Sequence, residues 1–144
     1  MYDLWPLDVK RLGLRTPETV LREQASLLKN KTNGIVLAGL SEVEISNENA
    51  AFLIYHFFLI APRLEDYRFR LFAASYNYDL YPVVFTLDED LRQELKEQLG
   101  EWEEPLTASE EEELESILRS IFHSKKTRLV IGSLLTQSEA PFSQ

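Results

Sequence analysis

Few side chains in this sequence could do covalent or acid–base chemistry. There is no cysteine and there are two histidines, His56 and His123. Thiol catalysis, disulfide staples and cysteine-ligated metals are therefore excluded. His56 lies within the apolar run Ala51 to Ala61 (AFLIYHFFLIA). An imidazole facing a cleft could serve as a general base. In such a run the expected role is instead a satisfied, structural histidine, held beneath a helix or at an interface. His123 follows a helical pattern at the end where a cation is favoured, and it is expected at the surface. Two isolated histidines do not make a metal site. The four consecutive acids Glu110 to Glu113 splay by about 100° per residue on a helix, so they cannot converge on one ion. The five glycines form neither GxGxxG nor GxxxxGK[ST], and no GxSxG, HExxH or SxxK occurs. No enzyme activity, cofactor or metal is expected.

The residues suited to binding are more numerous. Arg68 and Arg70 alternate with Tyr67, Phe69 and Leu71, and Tyr76, Tyr78 and Tyr81 follow closely. A basic, aromatic strand can stack nucleic-acid bases. The formal net charge of −9 opposes that, and the two arginines are expected to face solvent and pair with Glu42 and Glu44. Tyrosine and arginine are also enriched at protein–protein hot spots. Trp102 stands among Glu101, Glu103 and Glu104. Two readings stay open there. Either this cluster meets a partner carrying lysine or arginine, or Trp102 folds inward and the glutamates solvate the loop. The first fifteen residues carry Tyr2, Leu4, Trp5, Leu7, Val9, Leu12 and Leu14. Such a segment is expected to dock through Trp5 and Leu7, on its own domain or on something else.

Composition sets the class. The chain has 144 residues, 15 Lys+Arg, 24 Asp+Glu and 44% hydrophobic residues, enough to bury the core of one domain. Residues 88–116 hold thirteen acids and two bases, a net of −11, while the preceding 87 residues sum to −1 and the last 28 to +3. The acidity is therefore one segment, which helix N-termini explain only in part. The start of the chain lacks a secretory apolar core, being interrupted by Asp3, Pro6 and Asp8. A cytoplasmic location is expected, with no membrane span and no direct nucleic-acid partner.

The elements that must position these residues can be read from periodicity. Thr16 and Pro17 open a helix whose buried face is Leu21, Ala25 and Leu28, closed by Asn33-Gly34. Four strands follow over Ile35–Ser46, Ala51–Ala61, Tyr67–Ser75 and Tyr81–Leu87, with Pro82 at an edge or opening the last one. On the third, Tyr67, Phe69, Leu71 and Ala73 are expected on one face and the arginines on the other. Short turns imply an antiparallel meander. Asp88 caps a helix over Leu91, Leu95 and Leu99. Thr107 with Glu110, or Ser109 with Glu112, makes a capping box before Leu114, Ile117, Leu118, Ile121 and Phe122. Ser124 caps a last helix through Leu129, Val130, Leu134 and Leu135. Residues 138–144 are expected to fray.

The sequence thus implies one α+β domain over 1–144. It has a four-stranded antiparallel meander, an N-terminal helix and two to three C-terminal helices packed on one face. The second strand, with Leu53, Tyr55, Phe57 and Leu59 opposite Phe52, Ile54 and Phe58, needs cover on both sides. In size, acidity and helix–sheet mixture the chain resembles the small acidic chaperones of bacterial secretion systems and the immunity proteins that neutralise toxins. The expected function is non-catalytic protein binding, through the sheet face (Tyr55, Arg68, Arg70), the N-terminal segment (Trp5) and the acidic loop. A homodimer is one form this would take. Two alternatives are a small-ligand site or enzyme using the aromatic face and His56, and an acidic mimic of nucleic acid.

Overall fold

A computed structural model describes residues 1–46, 51–100 and 102–139. The first helix, α1 (Pro17–Lys31), starts as the sequence implies, with the Thr16 hydroxyl accepting from the Thr19 N–H. Asn33 and Gly34 both take positive φ, 53° and 79°, and turn the chain out of it. An antiparallel meander follows: β1 (Leu37–Ser46), β2 (Ala51–Ala61), β3 (Tyr67–Asn77), β4 (Val83–Thr86) and β5 (Thr107–Ala108), in that spatial order. Then come α2 (Glu89–Leu99, before β5 in the chain), α3 (Glu111–Phe122) and α4 (Lys125–Glu139).

The α+β architecture, the antiparallel sheet and the helices stand as expected, with differences in detail. Among the described residues the sheet has five strands rather than four. The fifth is two residues long, too short to leave a period, and Thr107 pairs with Val84 instead of capping a helix. The N-cap of α3 is Glu110, whose side chain makes no capping bond. Glu113 reaches back to the Ser109 N–H instead, at 3.3 Å. Pro82 precedes β4 rather than lying in it, so the strand loses no ladder donor. At the C-terminus, residues 138 and 139 still belong to α4, and residues 140–144 lie outside the described ones.

β3 departs from simple alternation. Phe57 pairs with Phe72, but its neighbour Phe58 pairs with Arg70, leaving Leu71 as an extra residue in a bulge. The bulge exchanges faces: Tyr67 and Phe69 share a side with Phe72, Ala74 and Tyr76, and Ala73 joins Arg68 and Arg70 on the other. Period-2 reading cannot see this, because one inserted residue moves every later side chain across the sheet.

All four helices pack on the side of Tyr55, Phe57 and Leu59. From α1, the Glu18 N–H donates to the Tyr76 hydroxyl at 3.3 Å. From α3, Phe122 lies 5.4 Å from the Phe57 ring. From α4, the Lys126 ammonium sits 5.7 Å above Phe69. From α2, Leu91 and Leu95 are fully buried in the same core. The Ser124 hydroxyl, itself buried, accepts from the Thr127 N–H and caps α4. Tyr55, Phe72, Leu21, Leu59, Leu71, Leu114 and Ile121 are among the largest fully buried side chains. Each stabilises the fold by about 1.5–3 kcal/mol relative to exposure.

Candidate functional site

Among the described residues, no helix lies on the other face of the sheet. Its axis is the even-numbered set of β2: Phe52, Ile54, His56, Phe58 and Ile60, all half-buried. Across the strand register they meet Leu37, Gly39, Ser41 and Val43 on β1, and Arg68, Arg70, Ala73, Ser75 and Asn77 on β3. Val84 and Thr86 extend the surface on β4. None of the five β2 residues belongs to the core cluster. The result is an apolar band with a cationic end. Arg68 lies over the Phe58 ring, 5.9 Å from its centroid. Among the described residues the expected pairing of Arg68 and Arg70 with Glu42 does not occur, because Glu42 is in register with Tyr55 on the helix side; the side chain of Glu44, the other expected partner, lies outside the described ones.

His56 sits in the middle of this band, its ring 6.2 Å from that of Phe58. Its Nδ1 is buried and has no hydrogen-bond partner among the described residues. Of the two structural positions expected for this histidine, beneath a helix or at an interface, the first is not the one it takes. A buried, unbonded polar atom costs about 1–3 kcal/mol. A molecule lying on this face could supply the missing bond.

The N-terminal segment is the second unpartnered apolar element. It does not dock on its own domain. Trp5 is 78% exposed and Leu7 fully so, and Tyr2, Leu4 and Leu14 are exposed as well. The segment contains an Asx-type turn, with the Trp5 N–H donating to Asp3 Oδ1 at 2.9 Å, and a 3-10 turn over Val9–Arg11. Its root is fixed: Arg15 pairs with Glu23, Glu111 and Glu115, tying the start of α1 to α3. The bond to Glu23 is the main cause that raises the Arg15 pKa above its ordinary value.

Tyr55, expected at a partner surface, is in the core. It is 1% exposed and stacked on Tyr76 with ring centroids 5.8 Å apart. Burial first, and its hydrogen bond with Tyr76 second, push the Tyr55 hydroxyl pKa well above the usual tyrosine range.

The acidic segment is largely engaged with its own domain. Glu94 accepts from the N–H groups of Lys125 and Lys126 and so caps α4 from α2. Asp90 pairs with Lys126, and Glu89 with Arg92. Trp102 is half-buried against the core, with Lys96 5.7 Å from its ring. Glu104 pairs with Lys96 at 3.2 Å and with Arg92 at 3.9 Å. Of the two readings of this loop, the inward tryptophan is the one the geometry shows. Glu103 is exposed, and Glu101 lies outside the described residues.

Among the described residues, no group of three or more His, Cys, Asp or Glu side chains could hold a metal ion. No helix is long and apolar enough to cross a membrane. Fold and surface together define an α+β domain with one open sheet face. No family model, curated protein or solved structure matches the chain.

Proposed function

We propose that this chain is a non-catalytic protein-binding domain whose working surface is the open face of the sheet. The observation that carries the reading is one-sided cover: the four helices pack on the side of Tyr55 and Phe57, and Phe52, Ile54, Phe58 and Ile60 are left outside the core cluster. Contiguous apolar surface rimmed by polar groups is characteristic of interaction sites. The unbonded Nδ1 of His56 adds a polar anchor point within it.

The occupant that best fits is a second copy of the chain. Each copy displays an apolar face with Arg68 and Arg70 at one end, and an apolar segment carrying Asp3 and Asp8 among Tyr2, Leu4, Trp5 and Leu7. The two surfaces are complementary in apolar character, and Asp3 and Asp8 lie in the half of the segment ahead of its own Lys10 and Arg11. Fourteen residues of extended chain reach up to about 45 Å, enough to run the length of an eleven-residue strand of about 36 Å. A two-fold pair would use both contacts at once. The acidic helical side, with Glu97, Glu103 and Glu112 exposed, stays free for a basic client.

Sedimentation velocity across a concentration series tests this. Dimers are expected for the wild-type chain. Monomers are expected for Ile54→Lys on the face and for the Trp5→Ala/Leu7→Ala pair on the segment. A wild-type chain that stays monomeric up to about millimolar concentration would remove the second copy as occupant.

A further inference from the structure

We propose that the groove between α1 and α4 binds a single-chain anionic amphiphile, a medium-chain carboxylate in chemical class. The groove lies on the helix side of the sheet, so this inference does not rest on the open face and fails or stands separately from it. Its volume is about 390 Å³, within the span of roughly 300–1,000 Å³ typical of small-molecule sites. Phe57 and Leu59 of β2 and Ala38 of β1 form the floor. Leu28 of α1, and Phe122 and Ile131 from α3 and α4, make the walls.

The groove exists for a local reason. On the helix-covered face of β1, Ala38 pairs with Leu59. A methyl group there leaves a space that a larger side chain would fill. Leu27 stands at the mouth and is 48% exposed, so the lining stays apolar out to the surface.

The mouth is cationic. Lys31 comes from the end of α1, and His123 and Arg128 from the junction of α3 and α4. The Arg128 guanidinium lies 3.5 Å from His123 Nδ1, so those two groups converge on one spot. Among the described residues no acidic side chain lines the groove, in a chain with 24 acids and 15 bases. Among the described residues the ion pairs are made by Arg15, Arg22, Arg92, Lys96 and Lys126. Lys31 and Arg128 are thus cations without a carboxylate, at the entrance of an apolar slot. An anionic head at Lys31 and Arg128 with an aliphatic tail laid on Phe57, Leu59 and Phe122 satisfies both features. A cationic amphiphile would be repelled, and a neutral one would leave the head contacts unmade.

Isothermal titration of the full chain with decanoate and decyltrimethylammonium, each below its micelle concentration, and with decanol below its solubility limit tests the assignment. One decanoate per chain is expected, bound about tenfold or more tighter than decanol, with no binding of the cation. Octanoate should bind about sixteenfold more weakly than decanoate, because each buried methylene contributes about fourfold. Lys31→Gln/Arg128→Gln should weaken decanoate about tenfold and leave decanol unchanged. Ala38→Leu, checked for an unchanged circular dichroism spectrum and melting temperature at or above the wild-type value, should abolish binding of both. Absence of decanoate binding, equal affinity for the three head groups, or decanoate binding that survives Ala38→Leu would overturn the proposal. Should that variant fail to fold, the Lys31/Arg128 pair decides alone: undiminished decanoate affinity there overturns it.

Discussion

The two faces of β2 are built from the same amino-acid types and meet different fates. Tyr55, Phe57 and Leu59 are each at most 2% exposed beneath four helices. Phe52, Ile54, Phe58 and Ile60, one residue out of step, lie outside the core cluster. The side chains do not explain this, since phenylalanine and isoleucine or leucine occur on both sides. The connections do. From β1 to β4, only four or five residues separate one strand from the next, too few to supply a helix that covers a face of the sheet. The helices are then supplied only before the first strand and after the fourth, and they pack together on one side. What the comparison teaches is that an apolar residue in a strand reports a need for cover, and that the chain itself meets that need on one face.

The largest expected effect breaks this symmetry directly. Phe57→Ala should cost about 3–5 kcal/mol, the usual range for a fully buried phenylalanine. Phe57 is stacked on Phe72 at 5.0 Å and also touches the Phe122 ring. Phe58→Ala, measured in the same urea titration on dilute monomer, should cost less than about 1.5 kcal/mol. Equal losses would mean that the open face is as structurally committed as the covered one.

A second substitution reverses the test. Ile54→Lys should leave monomer stability within about 1 kcal/mol, because a lysine stem can lie along apolar surface with its head in water. It should raise the dimer dissociation constant at least about tenfold. Loss of folding with no change in association would place Ile54 in the core instead.

The covered face also carries a pH signature. The Tyr55 pKa is raised in the folded chain by burial and by Tyr76. The protonated form is therefore favoured by folding, so the stability it supports is intact below the ordinary tyrosine pKa and is lost as pH rises above about 10. At pH 11 the loss attributable to one tyrosine is about 1.4 kcal/mol. Tyr55→Phe should show a shallower decline between pH 9 and 11 in chemical denaturation, with Tyr81, also raised chiefly by burial, accounting for part of the remainder. An unchanged slope would show that Tyr55 does not control it.

Much of the fold was legible because it rests on local signals. Thr16-Pro17, Asp88 and Ser124 each cap the helix they precede in the sequence. The turn at Asn33-Gly34 uses the positive φ those residues tolerate. The misreadings share another cause, in that they depend on partners distant in sequence. The bulge at Leu71 is defined by its register with Phe57 and Phe58. β5 exists only through its pairing with β4. The alternation within β2 did single out both of its faces. It could not say which one the helices would take, and so Tyr55 was placed at a surface. Lys31 and Arg128, ninety-seven positions apart in the chain, leave no joint signal in sequence.

His56 marks the open face at the level of a single atom. Replacing it with phenylalanine removes the buried Nδ1 that has no partner among the described residues. His56→Phe should therefore leave the isolated monomer unchanged or about 1 kcal/mol more stable, since the lost group was already unbonded. If Nδ1 is bonded only when the face is covered, the same change should weaken dimerisation about threefold to tenfold. A destabilised monomer would mean that the imidazole makes a bond in the free chain.

The smallest expected effect concerns the acidic segment, which contrasts with the open face in having found its partners within the chain. Glu104 bridges Lys96 and Arg92 while Lys96 also covers Trp102. These groups are between about a third and a half exposed, so each pair is screened and contributes about 0.2–1 kcal/mol. Glu104→Gln should cost no more than that and should lose even this difference in about 1 M salt, where screening acts within about 3 Å. Glu103 has no ion pair among the described residues, and Glu103→Gln should leave stability unaltered at any salt. If the Glu101→Gln/Glu103→Gln/Glu104→Gln chain still captures a polylysine probe as strongly and with the same salt dependence as wild type, the loop is a structural brace for Trp102 and not a docking surface. If capture falls while stability changes by less than about 1 kcal/mol, the exposed glutamates act outward, and the acidic side joins the open face as a second binding surface.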